Sequence, residues 1–129
     1  MSTSLICERS FEFARRLVPL CDRLARSGFS ARHVAGQLIR SGTSICANAN
    51  EAQEGQTKPD FIAKMSVSRK EAREANFWLR FAASTNIVSP AETAWELEES
   101  MDLLRMIRRA IQTAQPHPDR GNSSPEPEP

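Results

Sequence analysis

The sequence predicts an all-α protein, an antiparallel up-down-up-down four-helix bundle. Three observations predict it. Four stretches carry apolar residues at alternating spacings of four and three, the repeat that puts one stripe on a helix face. Turn and cap signals at Gly28, at Gly55 with Thr57, and at Ser89-Pro90 separate those stretches. Tyrosine is absent and only five residues are glycine, while abundant Ala, Arg, Glu and Leu favour helix over sheet. A chain of 129 residues supports one core. Residues 1–115 are therefore assigned to a single bundle and residues 116–129 to a tail.

The first helix is expected to start between residues 5 and 10 and to stop at Gly28, a natural C′ residue. Phe13, Leu17, Leu20 and Leu24 form one seam, with Ala14, Val18, Cys21 and Ala25 beside it. Together they are wider than one bundle core needs, which points to a second packing surface. Pro19 predicts a bend. Arg9, Arg16 and Arg23 recur every seven residues along one flank, with Arg15 and Arg26 further round. The row reads either as a solvated face or as an anion-facing one.

Ser30 is expected to cap the second helix, with Phe29 and Val34 forming a hydrophobic staple. Val34, Leu38, Ser41, Ile45, Asn48 and Ala52 then share a face that ends before Gly55. Thr57 caps the third helix, Pro59 sits in its first turn and Asp60 completes a capping box. Phe61, Met65, Ser68, Ala72, Ala75, Leu79 and Ala82 form its seam. Of Phe77, Trp78 and Phe81, at least one must face a neighbouring helix or subunit. Ser89-Pro90-Ala91-Glu92 supplies cap, N1 proline and N3 glutamate for a fourth helix that buries Ala94, Leu97, Met101, Leu104, Ile107 and Ile111. Residues 116–129 are rich in Pro, Ser and acid, and predict a disordered tail.

The second helix contains the chain's unusual stretch, RSGTSICANANEA at residues 40–52. It concentrates Ser41, Gly42, Thr43, Ser44 and Asn48 in about two turns, and Ile45 is its one large aliphatic residue. Gly42 costs roughly 1 kcal/mol relative to Ala in a helix interior, so close packing or a binding role must offset it. The packing reading places the stretch against Ser68, Ala72 and Ala75 of the third helix. On that reading Gly42→Leu disrupts the contact between the second and third helices by overpacking.

This stretch, followed by FIAKMSVSRKEAREANFWLR at residues 61–80, resembles the 23S rRNA intervening-sequence protein family of bacterial four-helix bundles. That family includes accessory variability proteins of diversity-generating retroelements. The motifs that carry the resemblance are SGTSI-x-AN-x-x-EA and FI-x-KMS-x-x-x-KEARE-x-x-x-WL, which here comprise Ser41, Gly42, Thr43, Ser44, Ile45, Asn48, Glu51, Glu71 and Trp78. The resemblance spans roughly residues 10–114. It implies the same fold, a homopentamer with a central channel, and binding of RNA together with a reverse transcriptase.

No catalytic set can be assembled from the residues. His33 and His117 are the only histidines, and Glu-x-x-His pairs, Ser-His-Asp sets and phosphate-cradling Gly loops are missing. The expectation is a non-enzymatic protein with no metal, cofactor or small-molecule substrate. Glu51, Glu54, Glu71 and Glu74 are expected to pair with Arg40, Arg69 or Arg73, with Glu51 and Glu71 held in constrained, buried positions beside Asn48.

Net charge is only +1, far short of a strongly basic nucleic-acid protein. Residues 1–50 hold seven Arg against three acids, whereas residues 91–115 hold three Arg against five acids. The first half is the more anion-facing. The candidate phosphate contacts are Arg9, Arg15, Arg16, Arg23, Arg26, Arg40, Arg69, Lys70 and Arg73, repeated around a ring. Replacing Arg16 and Arg23 by Glu is expected to leave folding intact and abolish RNA affinity. The alternative is an oligomeric protein-interaction scaffold with no nucleic-acid role. Cys7, Cys21 and Cys46 show no metal spacing and read as core-fillers in a reduced, cytoplasmic protein. Neither an export leader nor a membrane span is apparent.

Overall fold

Alternating apolar spacing produces four long helices joined by short turns. The computed structural model describes residues 3–116. It contains α1 (Thr3–Ala25), α2 (Phe29–Gln53), α3 (Lys58–Ser84), a 3₁₀ turn (Pro90–Thr93) and α4 (Ala94–Ala114). Each helix packs on two neighbours, α1 on α2 and α4, and α3 on α2 and α4, which closes an antiparallel bundle. The predicted disordered tail lies, apart from Pro116, outside the described residues.

The core is where the seams meet. Phe13, Leu17, Leu24, Leu38, Ile45, Met65, Leu103 and Ile107 are fully buried, and each contributes roughly 1.5–3 kcal/mol by leaving water. The α3 seam is buried from Met65 to Ala82, with Phe61 half-buried at its start. On α2 the expected face is buried except for Asn48, which is half-buried.

Small residues set the spacing of the helices. α2 packs closely on both α1 and α3, whereas the α1–α4 seam is the loosest of the four. Ser68 Oγ donates to the Ile45 carbonyl at 2.6 Å, which ties α3 directly to the α2 backbone. Gly42 corrects the expected pairing: it faces α1 rather than α3. A Cβ built on Gly42 falls 2.3 Å from Leu17 Cδ1 and 3.6 Å from Phe13 Cε2. One residue of offset is 100° of helix rotation, so Ser41 and Ile45 face the core while Gly42 turns to α1. Three polar side chains of the stretch bond to the backbone of α2 itself. Ser41 donates to the Leu38 carbonyl and Thr43 to the Ile39 carbonyl, while the Asn48 amide donates to the Ser44 carbonyl.

Several boundaries differ from expectation. α1 starts at Thr3 and ends at Ala25, with Pro19 inside it. Gly28 is not its C′ residue but the N-cap of α2, at φ 153° and ψ 177°. Few L-residues adopt that backbone, so Gly28 serves the turn by lacking a side chain. Ser30 consequently lies inside the first turn of α2, and Phe29 is 81% exposed, so no staple forms. Thr57 caps α3 as expected, accepting from Asp60 N. The Ser89–Glu92 capping box is complete, but it opens the 3₁₀ turn rather than α4 itself.

The face of α4 is the largest correction. Ala94 and Met101 are exposed, Leu97 and Leu104 half-buried, and only Ile107 and Ile111 of the expected set are buried. The inward face instead carries Glu96, Glu99, Ser100, Leu103 and Met106. Acidic side chains at 96 and 99 read as solvent positions. Glu99 lies inward because Arg9 on α1 receives it.

Candidate nucleic-acid interface

The three heptad-spaced arginines of α1 meet α4 and the 3₁₀ turn before it. Arg9 grips Glu99 with two bonds, Nε to Oε2 at 2.9 Å and Nη2 to Oε1 at 2.6 Å, and reaches Asp102 at 3.3 Å. Arg16 lies over the Trp95 ring at 3.8 Å. Arg23 pairs with Glu92 at 2.6 Å. The row is thus an interhelical seam rather than a solvated face, and long side chains on both helices explain why α1 and α4 stand apart. Two arginines of the basic first half are thus neutralised by acids of the last quarter within one molecule. Reversing Arg16 and Arg23 to Glu sets carboxylates against Glu92 and Trp95, so it strains the fold as well as the surface.

Of the remaining candidates on the first two helices, Arg15 pairs with Glu12 one turn away and Arg26 is exposed. Arg40 on α2 bridges to α3, contacting Glu74 at 2.6 Å and Glu71 at 3.2 Å. Glu71 is buried as expected, whereas Glu51 is exposed. Among the described residues no group of three His, Cys, Asp or Glu side chains converges on a metal-sized site. Cys21 and Cys46 are buried and Cys7 is half-buried. Burial, helped by the Asp22 carboxylate, pushes the Cys21 thiol up to about 12, which keeps it protonated and unreactive.

The hydrogen bond from Arg40 holds the Glu74 carboxyl below its ordinary 4.5, against partial burial and with help from the Trp78 indole N–H. A carboxyl held low in the folded state adds stability above its unfolded value, and that stability is lost as pH falls through the folded value. Arg40→Gln is therefore expected to raise the Glu74 pKa, read by NMR titration. Its stability deficit should be present at neutral pH and vanish once Glu74 is protonated in acid. A deficit independent of pH would show that Arg40 acts through packing alone.

Unpaired cations collect on α3. Among the described residues Arg69, Lys70 and Arg73 make no ion pair, unlike Arg9, Arg15, Arg23 and Arg40. Lys70, Arg73 and Arg80 line a shallow groove of about 450 Å³ between α3 and α4, floored by Asn76 and Leu104. Its one acid, Glu74, is already engaged by Arg40. Arg80 was not among the sequence candidates. The signal for it was its spacing, seven residues after Arg73 on the same outward strip of α3.

The helix order and this placement can be compared with known proteins. The chain is similar to a protein of unknown function from the S23 ribosomal protein family of Bacteroides thetaiotaomicron, with a TM-score of 0.79 and 31% identity over 87% of this chain and 99% of that one. Among curated proteins none matches. Residues 3–109 match the family described as 23S rRNA-intervening sequence protein. That match takes in the first three helices, most of α4 and both motifs, and the chain belongs to the 23S rRNA-intervening sequence protein family.

Proposed function

We propose that the protein is a non-catalytic accessory factor that binds RNA through the outward face of α3. The observation that carries the reading is the set of cations left without carboxylates, Lys70 and Arg73 beside the α3–α4 groove. Phosphate contacts from such side chains need no deep pocket, and five modest patches repeated around a ring add up to a strong site. The family description, which names 23S rRNA, agrees with an RNA partner. The protein partner implied by the sequence resemblance is a reverse transcriptase. Assembly as a ring-shaped homo-oligomer is supported by apolar side chains that α1 leaves in water, Phe11 at 60% and Val18 at 47% exposed.

The test is fluorescence anisotropy of a labelled structured RNA across a salt series, with light scattering on the same sample. Affinity is expected to fall linearly in log–log salt. Lys70→Glu with Arg73→Glu should weaken binding at least about tenfold at low salt and reduce the salt slope by about 2. A scattering mass equal to the 14.4 kDa monomer would remove the ring. Absence of binding at low salt would favour the second reading, a protein-interaction scaffold, which the same exposed apolar residues and the net charge of +1 also support.

A further inference from the structure

We infer that the α3 strip takes single-stranded nucleic acid, with bases stacked on Phe77 and Phe81 and phosphates held by Lys70, Arg73 and Arg80. The inference rests on the nucleic-acid reading above and specifies the form of its ligand. These five residues follow one another on the outward side of α3, at offsets of three, four, three and one. Two cations, a ring, a third cation and a second ring therefore follow along roughly 16 Å of helix, the run of a few nucleotides.

The rings are exposed and held in place. Phe77 is 44% and Phe81 38% exposed, although both are large apolar side chains. They stack on each other at 5.9 Å with 22° between their planes. Trp78 meets both edge-on from the α2 side, at 4.9 Å and 5.8 Å, and His33 packs edge-on against Trp78 at 5.6 Å. Rings braced in this way lose little freedom when a base joins them. The acid within the strip, Glu74, points its charge into Arg40 at 2.6 Å, so phosphates approaching Arg73 meet a compensated carboxylate.

Charge and aromaticity together select the ligand. Cations alone would accept duplex or single strand, because both present phosphates. Exposed aromatic faces add affinity only for bases that are free to leave their own stack. An acidic protein segment would satisfy the cations and leave the rings without a matching partner.

The experiment compares two labelled probes on the full-length protein, an oligouridine of roughly 12 nucleotides and an RNA duplex of similar length. Wild-type protein is expected to prefer the single strand. Phe77→Leu with Phe81→Leu, which keeps apolar bulk on the helix, should weaken single-strand binding about tenfold and leave duplex binding and the salt slope unchanged. Phe77→Tyr should retain wild-type affinity. Equal effects of the leucine pair on both probes, or no effect on either, would overturn the stacking while leaving RNA binding in place. Failure of both probes to bind wild-type protein at low salt would remove the parent reading and this one together. A change in oligomeric mass caused by the leucine pair would also overturn it, by showing that a second copy covers the rings.

Discussion

Gly42→Leu is expected to destabilise the bundle by about 3 kcal/mol, a fall in Tm on the order of 10 °C. The Cβ of any side chain at this position falls 2.3 Å from Leu17 Cδ1, and Leu17 is fully buried. Alanine is a milder case. Its Cβ can be accommodated by rotation of the Leu17 side chain, and the helix regains roughly 1 kcal/mol of propensity. Leucine adds three more carbons where Phe13 already stands 3.6 Å away. Thermal denaturation of the single variants and of Gly42→Leu with Leu17→Ala locates the contact. Partial recovery in the double variant assigns the close approach to α1. Recovery with Ser68→Ala instead would return it to α3, and an unchanged Tm in the single variant would refute the packing altogether.

Arg9→Ala should cost about 2 kcal/mol. The Glu99 side chain is only 10% exposed, and Arg9 supplies two of its bonds. Removing the guanidinium strands that carboxylate at the α1–α4 seam. The expected loss is below the roughly 3–5 kcal/mol of a fully enclosed pair, because the Arg9 side chain keeps 35% of its surface in water and the pair is partly screened. Those bonds also raise the Arg9 pKa further above its ordinary value, chiefly through the hydrogen bond to Glu99. Arg9→Met combined with Glu99→Leu should recover most of the loss, since neither charge then remains buried alone. If the double variant is no more stable than Arg9→Ala, the stabilisation comes from the pair itself and not from avoiding a stranded carboxylate.

These two variants act on opposite kinds of seam, and the sequence exposed them unequally. Glycine and serine within an amphipathic helix are visible as an anomaly, so close packing at Gly42 could be read before its partner was known. The arginine row was visible too, but its meaning was not. Arg9 and Glu99 are 90 residues apart, and nothing local tells an arginine that faces water from one that faces an acid on another helix. For the same reason Glu96 and Glu99 read as surface positions, and the apolar series through Leu97, Met101 and Leu104 stood in for the core. The candidate site was legible only in outline. Lys70 and Arg73 fall inside a recognisable motif, whereas Arg80 and the outer faces of Phe77 and Phe81 depended on how α3 is rotated in the bundle.

By itself, the sequence determined the four helices, the cap at Thr57, the capping box at Ser89 and the inner faces of α2 and α3. These follow from periodicity and from side chains that bond to their own backbone, which are local properties. Only the tertiary structure decided that Gly42 meets Leu17, that the acids of α4 turn inward, and that α3 keeps its cations while α1 gives its own to α4. Those outcomes depend on which helices become neighbours and at what rotation. Charge neutralisation acts through space, so the same arginine is a strut on one face of the bundle and a free cation on another.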